Sequence, residues 1–125
     1  MKPQPKNRNV VLVVEDEPLL RFFAVDILKE AGFNTVEASN ADEALRILEG
    51  RDDIVIVFTD INMPGSMDGL LLAAAVRDRW PPIRLIITSG LVRRDTFMLP
   101  DDAVFFTKPY EPSKLSATVR RMAAQ

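Results

Sequence analysis

Four short apolar runs constrain this chain more than any other feature. VVLVV (Val10 to Val14), IVIVF (Ile54 to Phe58), RLII (Arg84 to Ile87) and AVFF (Ala103 to Phe106) are β-rich and nearly continuous. Such runs suit strands covered on both faces, because a strand with one wet face alternates apolar and polar residues. TVEA (Thr35 to Ala38) mixes the two and reads as an edge strand. Helical segments lie between. Pro18 to Ala31 opens with a proline suited to a first turn and closes at Gly32. Ala41 to Glu49 has Asn40 as its cap and Gly50 as its stop. Asp68 to Trp80 spaces Leu72, Ala75, Val76 and Arg79 helically and ends at Pro81-Pro82, and Pro112 to Ala124 begins on a proline. Strand and helix alternate five times, with LVRRDTFMLPDD (Leu91 to Asp102) predicting a short or irregular fourth helix. The alternation predicts an α/β fold with an open parallel sheet and helices on both faces.

At 125 residues, 47% of them apolar, the chain suffices for one domain with a full core. That domain is expected over residues 9–125, behind a flexible arm at residues 1–8 that carries two prolines and three basic residues. The formal charge is −2 and the basic residues form no stripe, so no nucleic acid is expected as a direct partner. Neither a signal peptide nor a membrane span is recognisable, and a cytoplasmic protein without membrane contact is expected. Cysteine and histidine are both absent. Disulfides, thiolate metal sites and histidine bases are thereby excluded, and chemistry must rest on carboxylates, hydroxyls and lysines.

Open parallel sheets bind ligands beyond the carboxyl ends of their strands. The residues closing each run are therefore the candidates: Glu15 and Asp16 after the first, Asp60 after the third, Thr88 and Ser89 after the fourth, Lys108 after the fifth. Three clustered carboxylates repel one another, so either some are protonated or a cation joins them, and a hard divalent ion such as Mg²⁺ is the economical answer. An aspartate there can attack phosphorus, with the metal, an ammonium and a hydroxyl stabilising the equatorial oxygens of the transferring group. The set suggests an aspartyl-phosphate site.

VVLVVEDEP, FTDINMPGSMDG, IITSG and FFTKPY, in this order from Val10 onward, resemble the response-regulator receiver domain of two-component signalling and phosphorelays. The resemblance implies a flavodoxin-like, three-layer αβα sandwich whose five-stranded parallel sheet has the order 2-1-3-4-5. It implies Asp60 as phospho-acceptor, with Asp16, Asp60 and the backbone carbonyl of Asn62 holding Mg²⁺ (or Mn²⁺) and Glu15 orienting the metal's waters. Ser89 would donate to the phosphoryl group, Lys108 would pair with it, and Phe105 would occupy the place of the switch aromatic. The Lys108-Pro109 bond is expected to be cis. The implied partners are a histidine kinase or histidine phosphotransfer protein and an unknown downstream protein, the chain itself being a monomer or weak dimer. Such a domain is a phospho-acceptor that assists its own phosphorylation and dephosphorylation, not an enzyme on other substrates.

Plainer readings stand beside these. Thr88 is an alternative to Ser89 as hydroxyl donor, but it reads rather as an ordinary β-branched strand residue, because the family's donor directly precedes a small residue, here Gly90. Asp68 reads as a helix cap, and Leu19, Phe22, Phe23 and Ile27 as core. Gly65-Ser66 supplies one residue more than the family's usual loop, and Leu91, two past Ser89, is expected to shield an acyl phosphate from water. A phosphohydrolase of the haloacid-dehalogenase type also uses an Asp nucleophile after a parallel strand, but it wants an acid where Asn62 stands. A receiver fragment of a hybrid kinase is a further alternative. A flavodoxin-type binding module would want a Ser/Thr/Gly-rich first loop, which is absent.

Overall fold

The computed structural model describes residues 9–63, 67–90, 100 and 102–124. The predicted arm, the extra residue at Gly65-Ser66, Leu91 and most of the predicted fourth helix lie outside the described residues. Within them, five strands, β1 (Val10–Val14), β2 (Asn34–Ala38), β3 (Ile54–Asp60), β4 (Arg84–Ser89) and β5 (Val104–Thr107), form one sheet in the order β2-β1-β3-β4-β5. Every pairing is parallel. The helices are α1 (Pro18–Glu30), α2 (Ala41–Gly50), α3 (Gly69–Arg79) and α4 (Pro112–Ala123).

The continuous apolar runs follow from two-sided cover. Alternate residues of β1, β3 and β4 feed two separate cores. Val11, Val13, Ile56, Phe58 and Ile86 pack with Leu28 of α1 and Leu115, Val119 and Met122 of α4. Leu12, Val14, Val57, Leu85 and Ile87 pack with Leu48 of α2 and Leu72 and Val76 of α3. The result is a three-layer αβα sandwich. Local signals mark the helix ends: Gly32, at φ 98°, takes the left-handed turn after α1 that disfavours other residues. Asn40 Oδ1 accepts from the Glu43 N–H at 2.8 Å, and Asp68 Oδ1 from the Leu71 N–H at 3.0 Å, so both act as N-caps.

One expectation is corrected. Leu19, Phe22 and Phe23 are not core: they are 75%, 67% and 45% exposed, and only Ile27 of that group is buried. Helix α1 rests on the sheet through Ala24, Val25, Ile27 and Leu28, and one helix face is all the sheet can cover, so its other apolar residues stay outside. AVFF packs on both faces, Phe105 against one core and Val104 and Phe106 against the other, although β5 is the second edge of the sheet and all three are only half-buried.

Candidate functional site

Parallel strands bring all their carboxyl ends to one rim, and there the expected acids and lysine meet. Asp60, the last residue of β3, is 6% exposed, and Glu15, just beyond β1, is 3% exposed. Lys108 reaches across from the end of β5, its Nζ 2.9 Å from Glu15 Oε1 and 3.1 Å from Asp60 Oδ2. Glu15 Oε2 accepts the backbone N–H of Glu17 at 3.1 Å, so both oxygens of this carboxylate are engaged. Carboxylate oxygens of Glu15, Asp16 and Asp60 lie within 4.8 Å of one another, with Asp16 the most exposed of the three.

Electrostatics agree with this packing. Burial pushes the Glu15 carboxyl above its usual range against the pull of the Lys108 hydrogen bond, and the charge of Asp60 adds a little more. For Lys108, burial works to lower the ammonium's pKa, but the hydrogen bonds and charges of Glu15 and Asp60 outweigh it and the pKa is raised. The lysine is a fixed cation between two acids.

Backbone hydrogen bonds lace the rim. The Glu15 N–H donates to the Ala38 carbonyl at 3.0 Å, the Ile61 N–H to Thr88 at 2.8 Å, and the Lys108 N–H to Ser89 at 2.8 Å. Ser89 is buried at the end of β4, Asn62 is exposed two residues past Asp60, and Phe105 lies half-buried against the α2 and α3 core. The Lys108-Pro109 bond is cis, as expected.

Asp60 Oδ1 is buried and makes no hydrogen bond. An unpartnered carboxylate oxygen is costly unless something positive shares its place. Together with the hard oxygen donors of Glu15 and Asp16, this atom fits a divalent cation of the Mg²⁺ kind.

Two residues at the site escaped the sequence reading. A Cβ on Gly69 would lie 2.0 Å from the carbonyl oxygen of Asp60, so only glycine lets α3 start against the end of β3. Its signal was a glycine directly after the Asp68 cap, where a helix former is the ordinary choice. Arg21 donates to the Glu15 carbonyl at 2.8 Å and to Glu37 Oε1 at 3.1 Å, tying the acidic loop to α1 and β2. Its signal was a lone cation in an apolar stretch.

Known proteins resemble this chain in sequence and fold. The sensor kinase CckA of Brucella abortus is 40% identical over 119 residues, which cover 90% of this chain and 12% of that kinase. The chain spans between 12% and 48% of the length of the curated relatives it first matches. A response regulator receiver protein from Sinorhizobium medicae has the same fold, with TM-score 0.86 at 24% identity, over 92% of this chain and 94% of that one. The response regulator TrrA of Thermotoga maritima, solved in complex with Mg²⁺-BeF, superposes with TM-score 0.76 at 27% identity, over 91% and 98%. Residues 11–120 match the response regulator receiver domain family. With the sheet order, the acidic rim and the lysine all in place, the chain belongs to that family and is the receiver domain of a response regulator or hybrid kinase.

Proposed function

We propose that the domain is a phosphorylation switch, taking a phosphoryl group onto Asp60 from the phosphohistidine of a histidine kinase or phosphotransfer protein. The observation that carries this reading is the asymmetry of Asp60: Lys108 holds Oδ2, while Oδ1 is buried without a partner. Oδ1 is open to a cation, and Oδ2, once Lys108 gives it up, is the oxygen that takes the phosphoryl group. Asp16, Asp60 and the Asn62 carbonyl, with Glu15 behind, would hold Mg²⁺ or Mn²⁺, which would supply positive charge against the phosphoryl oxygens. Asp60 attacks phosphorus as the donor's N–P bond breaks, and the leaving imidazole takes up a proton. Lys108 then exchanges its contact with Asp60 for one with the phosphoryl group, and Ser89 donates to another oxygen. Phe105 follows Ser89 inward, since β4 and β5 place both on the α2 and α3 side of the sheet, and the altered surface binds a downstream protein.

A surface for the donor is at hand. Leu19, Leu20, Phe22 and Phe23 expose apolar area on α1, and Leu20, Phe23, Pro109 and Tyr110 line a cavity of about 320 Å³ whose walls include Glu15 and Lys108. Apolar area of this kind, beside the reactive acid, supports docking of a protein donor. We place the domain in the cytoplasm, as a monomer or weak dimer; among the described residues no helix is long and apolar enough to cross a membrane. A phosphohydrolase reading gains nothing from the site, where Asn62 occupies the position of the second acid.

Incubation with radiolabelled acetyl phosphate and Mg²⁺ tests the proposal. Label is expected on the native chain and not on Asp60→Asn. Equal labelling of the two proteins would overturn the assignment.

A further inference from the structure

Thr88 reads from sequence as plain strand filler, and its surroundings say otherwise. It is fully buried, and its Oγ1 makes no hydrogen bond. A buried hydroxyl without a partner is disfavoured, and valine has the same shape without that cost. Thr88 is paired in register with Asp60 on β3 and with Phe106 on β5. Strand alternation puts its side chain on the face of Ile86, two residues before it, and Asp60 on the face of Phe58. These are the same face. Neighbouring strands lie about 5 Å apart, so side chains paired in register on one face are neighbours. Phe58 and Phe106 are packed against Tyr110 on this side, and Lys108 Nζ can only donate. Asp60 Oδ1, also without a partner, is an acceptor on this face.

We infer that the Thr88 hydroxyl donates to the Asp60 carboxylate and sets how long the phosphorylated state lasts. The inference rests on the proposed phosphorylation of Asp60. A hydroxyl binds an ionised carboxylate more strongly than the neutral acyl carbonyl that replaces it after phosphorylation. In hydrolysis, water attacks phosphorus, the bond from phosphorus to the Asp60 oxygen breaks, and the electron pair leaves with the carboxylate. The proton of the attacking water goes to solvent. Donation from Thr88 stabilises that leaving carboxylate and hastens the loss. Oδ1 has a second lone pair for a cation, so the two roles do not compete. Thr88 is thus a positioning residue that acts through Asp60.

The test follows decay of the label after the donor is removed, in Mg²⁺, with melting temperatures measured in metal-free buffer. Thr88→Val is expected to hold the phosphoryl group about fivefold longer, the change that about 1 kcal/mol of hydrogen-bond energy produces. Its melting temperature in that buffer should lie below that of the native chain, since the buried Asp60 carboxylate loses its donor. Thr88→Ser keeps the hydroxyl and loses a methyl, so it should melt lower yet lose label at the native rate. Decay from Thr88→Val at the native rate or faster overturns the inference. So does slowing in Thr88→Ser to match Thr88→Val, which would assign the effect to packing. Absence of label from the native chain defeats both this inference and the phosphorylation reading, whereas labelling with unaltered decay defeats this one alone.

Discussion

Single residues at this rim are held in unusual states by what surrounds them, and Tyr110 shows it most measurably. Its ring stands edge-on to Phe58 at 5.8 Å and stacks on Phe106 at 6.0 Å. Burial, helped by the negative charge of Glu15, pushes its phenol up to about 12 from the usual 10.0. Below pH 10 the folded and unfolded chains both carry the neutral phenol, and Tyr110 adds no pH dependence. Between about 10 and about 12 the unfolded chain gives up a proton that the folded chain keeps, so stability falls as pH rises through that window. Tyr110 is the chain's one tyrosine, and phenolate absorbance therefore reports it alone. A folded-state midpoint near 12 is expected, together with a shallower alkaline loss of stability in Tyr110→Phe. A midpoint near 10 would show that the ring is wetter than its packing implies.

At the scale of elements, the join between β3 and α3 decides whether the acid is presented at all. The Gly69 N–H donates to the Ile61 carbonyl at 2.8 Å, and the absent Cβ leaves room for the Asp60 carbonyl. Glycine to alanine inside an exposed helix ordinarily gains about 1 kcal/mol. Here the added methyl meets backbone, which cannot swing aside as a side chain can, so α3 or the end of β3 must move. Gly69→Ala is expected to lose about 1–3 kcal/mol in denaturant unfolding and to take label from acetyl phosphate more slowly. A net gain in stability, as for an ordinary helical glycine, would refute the close approach. The sequence made the strands legible because burial on two faces demands continuous apolar runs, and it made Glu15, Asp16, Asp60 and Lys108 legible because each closes such a run. Gly69 and Arg21 stayed hidden because their roles depend on register and close approach, which no local pattern encodes. Leu19, Phe22 and Phe23 misled because hydrophobicity says that a side chain prefers burial, not that a neighbour exists to bury it.

Across the whole molecule, the site exists only when the sheet is assembled. Lys108 is 93 residues from Glu15 and 48 from Asp60 in sequence, yet it bonds to both. In the unfolded chain the three acids are scattered, except for the adjacent Glu15 and Asp16, and offer a divalent ion no comparable set of oxygens. An ion that binds the folded state alone stabilises it by mass action, by about 2.7 kcal/mol at a hundredfold excess over its dissociation constant. For a domain of this length that corresponds to a rise of about 10 °C in melting temperature. The gain should be global, because β1 and β3, which carry the acids, are adjacent central strands on which both cores are built. Melting the native chain across a Mg²⁺ series against chelator is expected to show this rise, saturating with metal, with Asp16→Asn and Asp60→Asn each greatly reducing it. Ca²⁺, larger and less demanding of octahedral geometry, and K⁺ at matched ionic strength separate specific coordination from screening of the acidic rim. If K⁺ reproduces the whole rise, or if both variants keep it, the acids are a repulsive patch relieved by salt and not a metal site.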